Sequence, residues 1–430
     1  MVSLPAQLVG FHAAATRPWW RPARLERLQR ERLCRLVHHA YQNAPGYRDR
    51  VRNGGVEPEE VQTLESLARL PLTTRQDLGD LPGSETARET VRRGRRVTVR
   101  TSGSSGVPLV LHYRRRDATE LNSTWLRPLL AHGIRPWHTR LEITGPHNFP
   151  AGRRTYERLG LWRRHCVSVF AEPSAWLAAA RSARADYLWG YSGSLKLFAQ
   201  YVLEGRHEVP PFRAVFGVSD LVDPDCRTLV REAFGQPLVD VYGAAEAGCI
   251  AWQCPTCDGY HVNMDTVIVE ILDGDRPAPP GVAGRVVVTN LLSFAMPIIR
   301  YELGDVAAMS LRAARCGRGL PLMDVVEGRS NAFVRLPSGR LLSPMFFFGL
   351  MKRFEADLRA WRVIQESADR LSVLAVWARP AVNTAPIAEE IRRLAGEPIG
   401  VSVVTVDALP PEASGKARAV FSRLSPGSRP

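Results

Sequence analysis

Three cysteines and a histidine crowd into "CIAWQCPTCDGYH": Cys249, Cys254, Cys257 and His261, spaced C-x4-C-x2-C-x3-H. Three thiolates and an imidazole suit Zn2+, which favours four sulfur and nitrogen ligands in a tetrahedron. Free buried thiols are the alternative, and an iron–sulfur cluster would ordinarily ask for four cysteines. Four protein ligands leave no open position for water, so the expected role is structural. Cys316, in "RCGRGLP", is either a remnant ligand or, as the favoured reading, a lone cysteine.

Four other stretches carry groups that could handle a phosphorylated ligand. In "TSGSSGVP", Thr101, Ser102, Gly103, Ser104, Ser105 and Gly106 offer hydroxyls and backbone N–H groups that glycine lets approach an anion. A plain Ser/Gly turn is the competing reading, because no Gly-Lys-Ser/Thr ending follows. In "DVYGAAEAG", Tyr242, Gly243 and Glu246 follow a strand-like run. A carboxylate there either caps a surface turn or holds Mg2+ against phosphate oxygens. In "IIRYELGDV", Asp305 is either an ordinary Gly-Asp turn or an acceptor for ribose hydroxyls. Lys416, in "PPEASGKARAV", is one of only three lysines in an arginine-rich chain. Its compact ammonium could meet a developing negative charge, or it is simply an exposed loop residue.

In this order and at these separations, with "EGRSN" (327–331) before the last, the motifs resemble the adenylate-forming superfamily of acyl–coenzyme A ligases. Within it the likeness is to the phenylacetate–coenzyme A ligase family, to whose N-terminal region "AYQNAPGYRDR" (40–50) and "LARLPLTTRQDL" (67–78) are similar. The resemblance implies that a carboxylate attacks the α-phosphate of ATP to give an acyl-adenylate, from which coenzyme A, a carrier-protein thiol or an amine then displaces AMP. It implies residues 101–106 at the β- and γ-phosphates, Glu246 on Mg2+, and Tyr242 and Gly243 at the adenine. Asp305 and Arg329 would serve the ribose, Asn331 the interdomain pivot, and Lys416 the carboxylate and α-phosphate. An aryl or arylacetic acid is the implied substrate, and relatives of this kind are often homodimers. Val107, Asn331 and Asp220 depart from the usual lysine, acidic or lysyl pivot, and glutamate.

Positioning such loops takes a layered scaffold. Leu25, Leu28, Leu33, Leu36, Val37 and Ala40 recur at a helical period and predict an amphipathic helix over 22–43. From about 117 to 240, helical and strand-like segments alternate, which predicts an α/β layered domain. Residues 265–309 read as β-rich. The expected architecture is α/β: a large N-terminal adenylate-forming-type domain (1–327, with the zinc segment 249–261) and a small, mobile C-terminal α+β domain (328–430). Aromatics in 141–150 and 187–194 could line an acid pocket, although such residues are more often core.

Length and composition agree with an ordinary globular chain: 430 residues, 45% hydrophobic and 23% charged. The net charge of +14 is arginine spread from end to end rather than a basic tail. Nucleic acid is therefore not the expected partner. No run of apolar residues is long enough to predict a membrane span. The start lacks the features of a signal peptide, and clustered cysteines point to metal rather than disulfides, so a cytoplasmic location is expected.

Overall fold

The computed structural model describes residues 4–53, 55–80, 96–100, 109–150, 152, 155–219, 222, 224–327, 334–338, 341–342, 344–354, 356–379, 384–409 and 419–424. The chain divides into two units, each discontinuous in sequence. Segments 1–100, 110–134 and 239–328 form the first; 101–109, 135–238 and 329–430 form the second. The boundary expected at "EGRSN" falls largely on residues outside those described.

In the first unit, the helix Pro22–Asn43 places a proline at its start, where no intrahelical N–H is needed, and buries Leu25, Leu33, Leu36, Val37 and Ala40. Leu33, Leu36, Val37 and Ala40 join Tyr47, Val51, Val61, Leu67, Ile268 and Ile299 in one apolar cluster. An additional helix, Leu4–Thr16, packs against Arg115–Ser123. Gly10 permits the approach, since a Cβ there would lie 3.3 Å from the Ser123 Cβ. The strands of this unit neighbour one another in the order Arg276–Pro277, Val267–Asp273, Gly284–Asn290, Tyr301–Met309, Leu322–Glu327, Tyr260–Val262, Gly248–Gln253 and Leu238–Ala244. Each neighbouring pair is antiparallel.

A strap at residues 68–75 is pinned to this sheet. The Thr73 N–H donates to the Arg300 carbonyl (2.7 Å), its carbonyl accepts from the Glu302 N–H (3.1 Å), and its hydroxyl donates to the Ile299 carbonyl at 2.6 Å. Arg300, in the left-handed region at φ 50°, turns its buried guanidinium onto Glu270 at 2.9 Å and onto the carbonyls of Ala68 and Leu70.

The second unit carries parallel strands in the order Ala214–Val218, Tyr187–Tyr191, Arg140–Thr144 and Arg164–Ser168. The first two are buried along their whole length, as expected of parallel strands covered on both faces. Helices Pro173–Ser182 and Ser192–Glu204 and the segment Pro224–Phe234 supply Trp176, Leu177, Phe198, Val230 and Phe234 to the core over Leu141, Ile143, Leu188 and Val215. Its C-terminal part is a four-stranded sheet ordered Gly400–Thr405, Arg370–Trp377, Leu358–Ser367 and Val420–Ser422. Helix Ala385–Ala395 packs on it and ends at Gly396, whose φ of 66° closes the helix in the left-handed conformation.

One charged cluster lies wholly inside the first unit. Arg127 forks onto both carboxylate oxygens of Asp265 at 2.7 Å and onto Asn263 Oδ1 at 2.7 Å. Arg17 reaches Asp265 at 3.3 Å, and Arg32 donates to the Asp265 carbonyl at 2.8 Å. Burial alone would raise the Asp265 carboxyl, but Arg127, Arg32 and Arg17 outweigh it and hold it below the ordinary value. Its contribution to stability is therefore present at neutral pH and lost as pH falls through that depressed value. Replacing Asp265 with alanine strands the buried Arg127 and should cost about 3–5 kcal/mol, read from the denaturant midpoint. Replacing the exposed Asp275 should leave that midpoint in place.

Candidate active site and metal cluster

Glu246 sits in the turn between strands Leu238–Ala244 and Gly248–Gln253. The turn is tight. Gly248 has φ 69°, and a Cβ on Gly243 would lie 2.6 Å from both the Gly248 carbonyl oxygen and the Trp125 ring. Gly243, expected at the adenine, thus has a packing reason to be glycine. The backbone of Glu246 is fixed from two sides. Asn290 Nδ2 donates to its carbonyl at 2.8 Å, and the Tyr113 hydroxyl donates to the carbonyls of Ala245 (2.9 Å) and Glu246 (3.1 Å). Burial, reinforced by the Glu246 charge, raises the Tyr113 phenol far above its ordinary value, so it stays a donor. The Glu246 side chain is 6% exposed. Its Oε1 accepts from the Tyr301 hydroxyl at 3.4 Å and lies 3.9 Å from the Arg75 guanidinium, which the pinned strap carries there.

Asp305 follows Gly304, whose φ of 81° turns the strand Tyr301–Met309 before its pairing with Leu322–Glu327 begins. The Tyr242 hydroxyl donates to Asp305 Oδ2 at 2.8 Å. Tyr242 and Glu246, named from one motif, and Asp305, named from another, are thus linked in one constellation, to which sequence reasoning did not assign Tyr301, Tyr113 or Arg75. Tyr301 stands four residues before Asp305, as Tyr242 stands four before Glu246, and that shared spacing was the available signal. Thr101, Ser102, Gly103, Ser104, Ser105, Gly106, Val107, Asp220, Arg329, Asn331 and Lys416 lie outside the described residues.

The cysteine cluster differs from the spacing in one ligand. Cys254, Cys257, His261 and Cys316 bring their ligand atoms within 4.8 Å of one another. His261 Nε2 lies 3.3 Å from Cys254 Sγ and 3.4 Å from Cys316 Sγ. Cys249 is not in this group. It belongs to the strand Gly248–Gln253, opposite Gly243 and beside the bulge that precedes Ala251, while the ring of Trp252 packs 5.1 Å from that of His261. Burial pushes the Cys249 thiol up to about 12. Cys316 arrives because Leu322 pairs with His261 and Met323 with Tyr260, which lays the preceding loop against the 254–261 turn. A contact made across 55 residues by strand pairing leaves no trace in local spacing. Nearby, the Arg318 guanidinium stacks 4.4 Å from Trp19 and 5.4 Å from Trp252. Three sulfurs and one imidazole nitrogen within 4.8 Å fit a closed tetrahedral Zn2+ shell.

No protein-family model matches the chain. Among curated proteins it is similar to the phenylacetate–coenzyme A ligase of Thermus thermophilus, 28% identical over 331 residues that cover 72% of this chain and 71% of that protein. The Escherichia coli phenylacetate–coenzyme A ligase is 29% identical over 320 residues, 71% of each chain. Among solved structures, a 2-hydroxyisobutyryl-CoA ligase with 2-HIB-AMP and CoA in the thioesterification state superposes with a TM-score of 0.62 at 20% identity, covering 93% of this chain and 90% of that one. The same ligase in a postadenylation state gives a TM-score of 0.59 at 18% identity, covering 92% and 88%. The chain is thus similar to phenylacetate–coenzyme A ligases in sequence and carries the fold of the adenylate-forming acyl–coenzyme A ligases.

Proposed function

We propose that this chain is an AMP-forming carboxylate–coenzyme A ligase. A carboxylate oxygen of the acid attacks the α-phosphorus of ATP, and pyrophosphate leaves with the electrons of the broken P–O bond. The thiolate of coenzyme A then attacks the acyl carbon of the mixed anhydride, and AMP leaves. The carrying observation is the linkage of Tyr242, Glu246 and Asp305, two carboxylate segments joined by a 2.8 Å hydrogen bond. The similarity to phenylacetate–coenzyme A ligases supports an aryl or arylacetic acid.

In this reading Asp305 accepts from the ribose hydroxyls, with Arg329 beside it, and the ring of Tyr242 flanks the adenine. The hydroxyls and N–H groups of 101–106 receive the outer phosphates. Glu246 would hold Mg2+, which when bound offsets charge on the phosphate oxygens. Lys416, carried by residues 328–430, neutralises charge between the attacking carboxylate and the α-phosphate. The chemistry is positioning and charge stabilisation, with no general base required. Cys254, Cys257, His261 and Cys316 would hold Zn2+ as a structural clasp between the 254–261 turn and the loop before Leu322.

Pyrophosphate release tests the reaction, with phenylacetate, benzoate and 2-hydroxyisobutyrate offered with and without coenzyme A. Acid-dependent release accelerated by coenzyme A is the expected result. Release indifferent to coenzyme A would point to a carrier-protein thiol or an amine as acceptor. No acid-dependent release with any of them would overturn the reading. Lys416→Ala should slow adenylation on the order of 10²–10³-fold while AMP affinity stays near that of the unsubstituted chain.

Metal analysis tests the clasp. The purified chain should carry about one zinc per molecule. Cys316→Ser should lose it and Cys249→Ser should keep it; the reverse pattern would return the fourth position to Cys249.

A further inference from the structure

The candidate site contains two tyrosine–carboxylate pairs of identical spacing, Tyr242 with Glu246 and Tyr301 with Asp305. The contacts cross. Tyr242 donates to Asp305 at 2.8 Å, and Tyr301 donates to Glu246 at 3.4 Å. Both backbones are fixed by strand pairing. Tyr301 is 1% exposed; its backbone pairs with Val288 on one side and bridges to Thr73 on the other. Tyr242 pairs with Ala251. The two phenols are neutral donors, so each can fix the rotation of a carboxylate while leaving its negative charge in place. Elsewhere in this unit Asp265 is gripped by Arg127 at 2.7 Å and Glu270 by Arg300 at 2.9 Å; at Glu246 the phenol stands beside an arginine, Arg75, at 3.9 Å.

We propose that Tyr301 and the hydroxyl of Tyr242 are reciprocal positioning residues. Tyr242 sets the carboxylate that meets the ribose, Tyr301 sets the carboxylate that meets the divalent cation, and each is supplied by the other's segment. The inference rests on the roles given above to Asp305 and Glu246. It goes beyond them in assigning Tyr301 a function and in giving Tyr242 one that its ring alone would not perform.

Tyrosine-to-phenylalanine changes keep the ring and delete only the donor. Tyr242→Phe should weaken AMP binding, measured calorimetrically without Mg2+, by about 10-fold, the worth of one hydrogen bond to a charged group, and leave the Mg2+ concentration for half-maximal pyrophosphate release within about twofold. Tyr301→Phe should do the opposite, raising that Mg2+ concentration by about 3-fold or more for its longer contact, with AMP affinity within about twofold. Unchanged values in either variant, or equal losses in both readouts, would overturn the proposal; the second pattern is that of general loosening. Asp305→Ala and Glu246→Ala separate this inference from its premise. If Asp305→Ala leaves AMP affinity intact, or Glu246→Ala leaves the Mg2+ requirement intact, the assigned role itself is wrong. If both alanine variants lose their ligand while the phenylalanine variants behave as the unsubstituted chain, only the crossed pair is wrong.

Discussion

A carboxylate meant for a ligand must be held still without being neutralised, and in this arginine-rich chain that is the governing constraint. Arginine is everywhere, and a buried carboxylate within its reach forms an ion pair. Asp265 and Glu270 do so, and the product is scaffold: Arg127 with Asp265 joins residues 138 positions apart, and Arg300 with Glu270 fixes the strap. Asp305 takes a 2.8 Å hydrogen bond from a phenol, and Glu246 takes one at 3.4 Å with Arg75 standing 3.9 Å away. A phenol orients each carboxylate of the candidate site, whereas arginine grips those of Asp265 and Glu270.

The framework serves that difference. Tyr301 can reach Glu246 because Thr73 and the strand Gly284–Asn290 grip its backbone from both sides. Glu246 can wait there because Tyr113 and Asn290 take its carbonyl and leave its side chain out of the backbone bonding. The same antiparallel sheet that carries Asp305 also pairs Leu322 with His261, so the cysteine cluster and the candidate site share one set of strands. A metal clasp at 254–261 and 316 would stiffen the far edge of the hairpin that begins two residues after Glu246.

Much of this was legible in the residues, and the exceptions have physical causes. The helix Pro22–Asn43 follows from the period of Leu25, Leu33, Leu36 and Ala40, which is a local property. Glu246 and Asp305 stood out because each follows a strand-like run, Asp305 directly after Gly304, whose φ is 81°. Helix Leu4–Thr16 was missed because its apolar residues are distributed around the axis rather than along one face. Cys316 was set aside and Cys249 taken in its place because ligand spacing is read along the chain, whereas this cluster is closed by strand pairing across 55 residues. The crossing of the tyrosines was invisible for the same reason: the shared i, i+4 spacing suggests that each serves its own carboxylate, and only the bend at Gly304 exchanges them.

The most direct test of the account is a crystal structure of the chain with a stable acyl-adenylate analogue. The account predicts both ribose hydroxyls within hydrogen-bond distance of Asp305, with the Tyr242 hydroxyl still on Oδ2. An adenosine bound away from Asp305, or an Asp305 turned onto an arginine with the nucleotide in place, would contradict it.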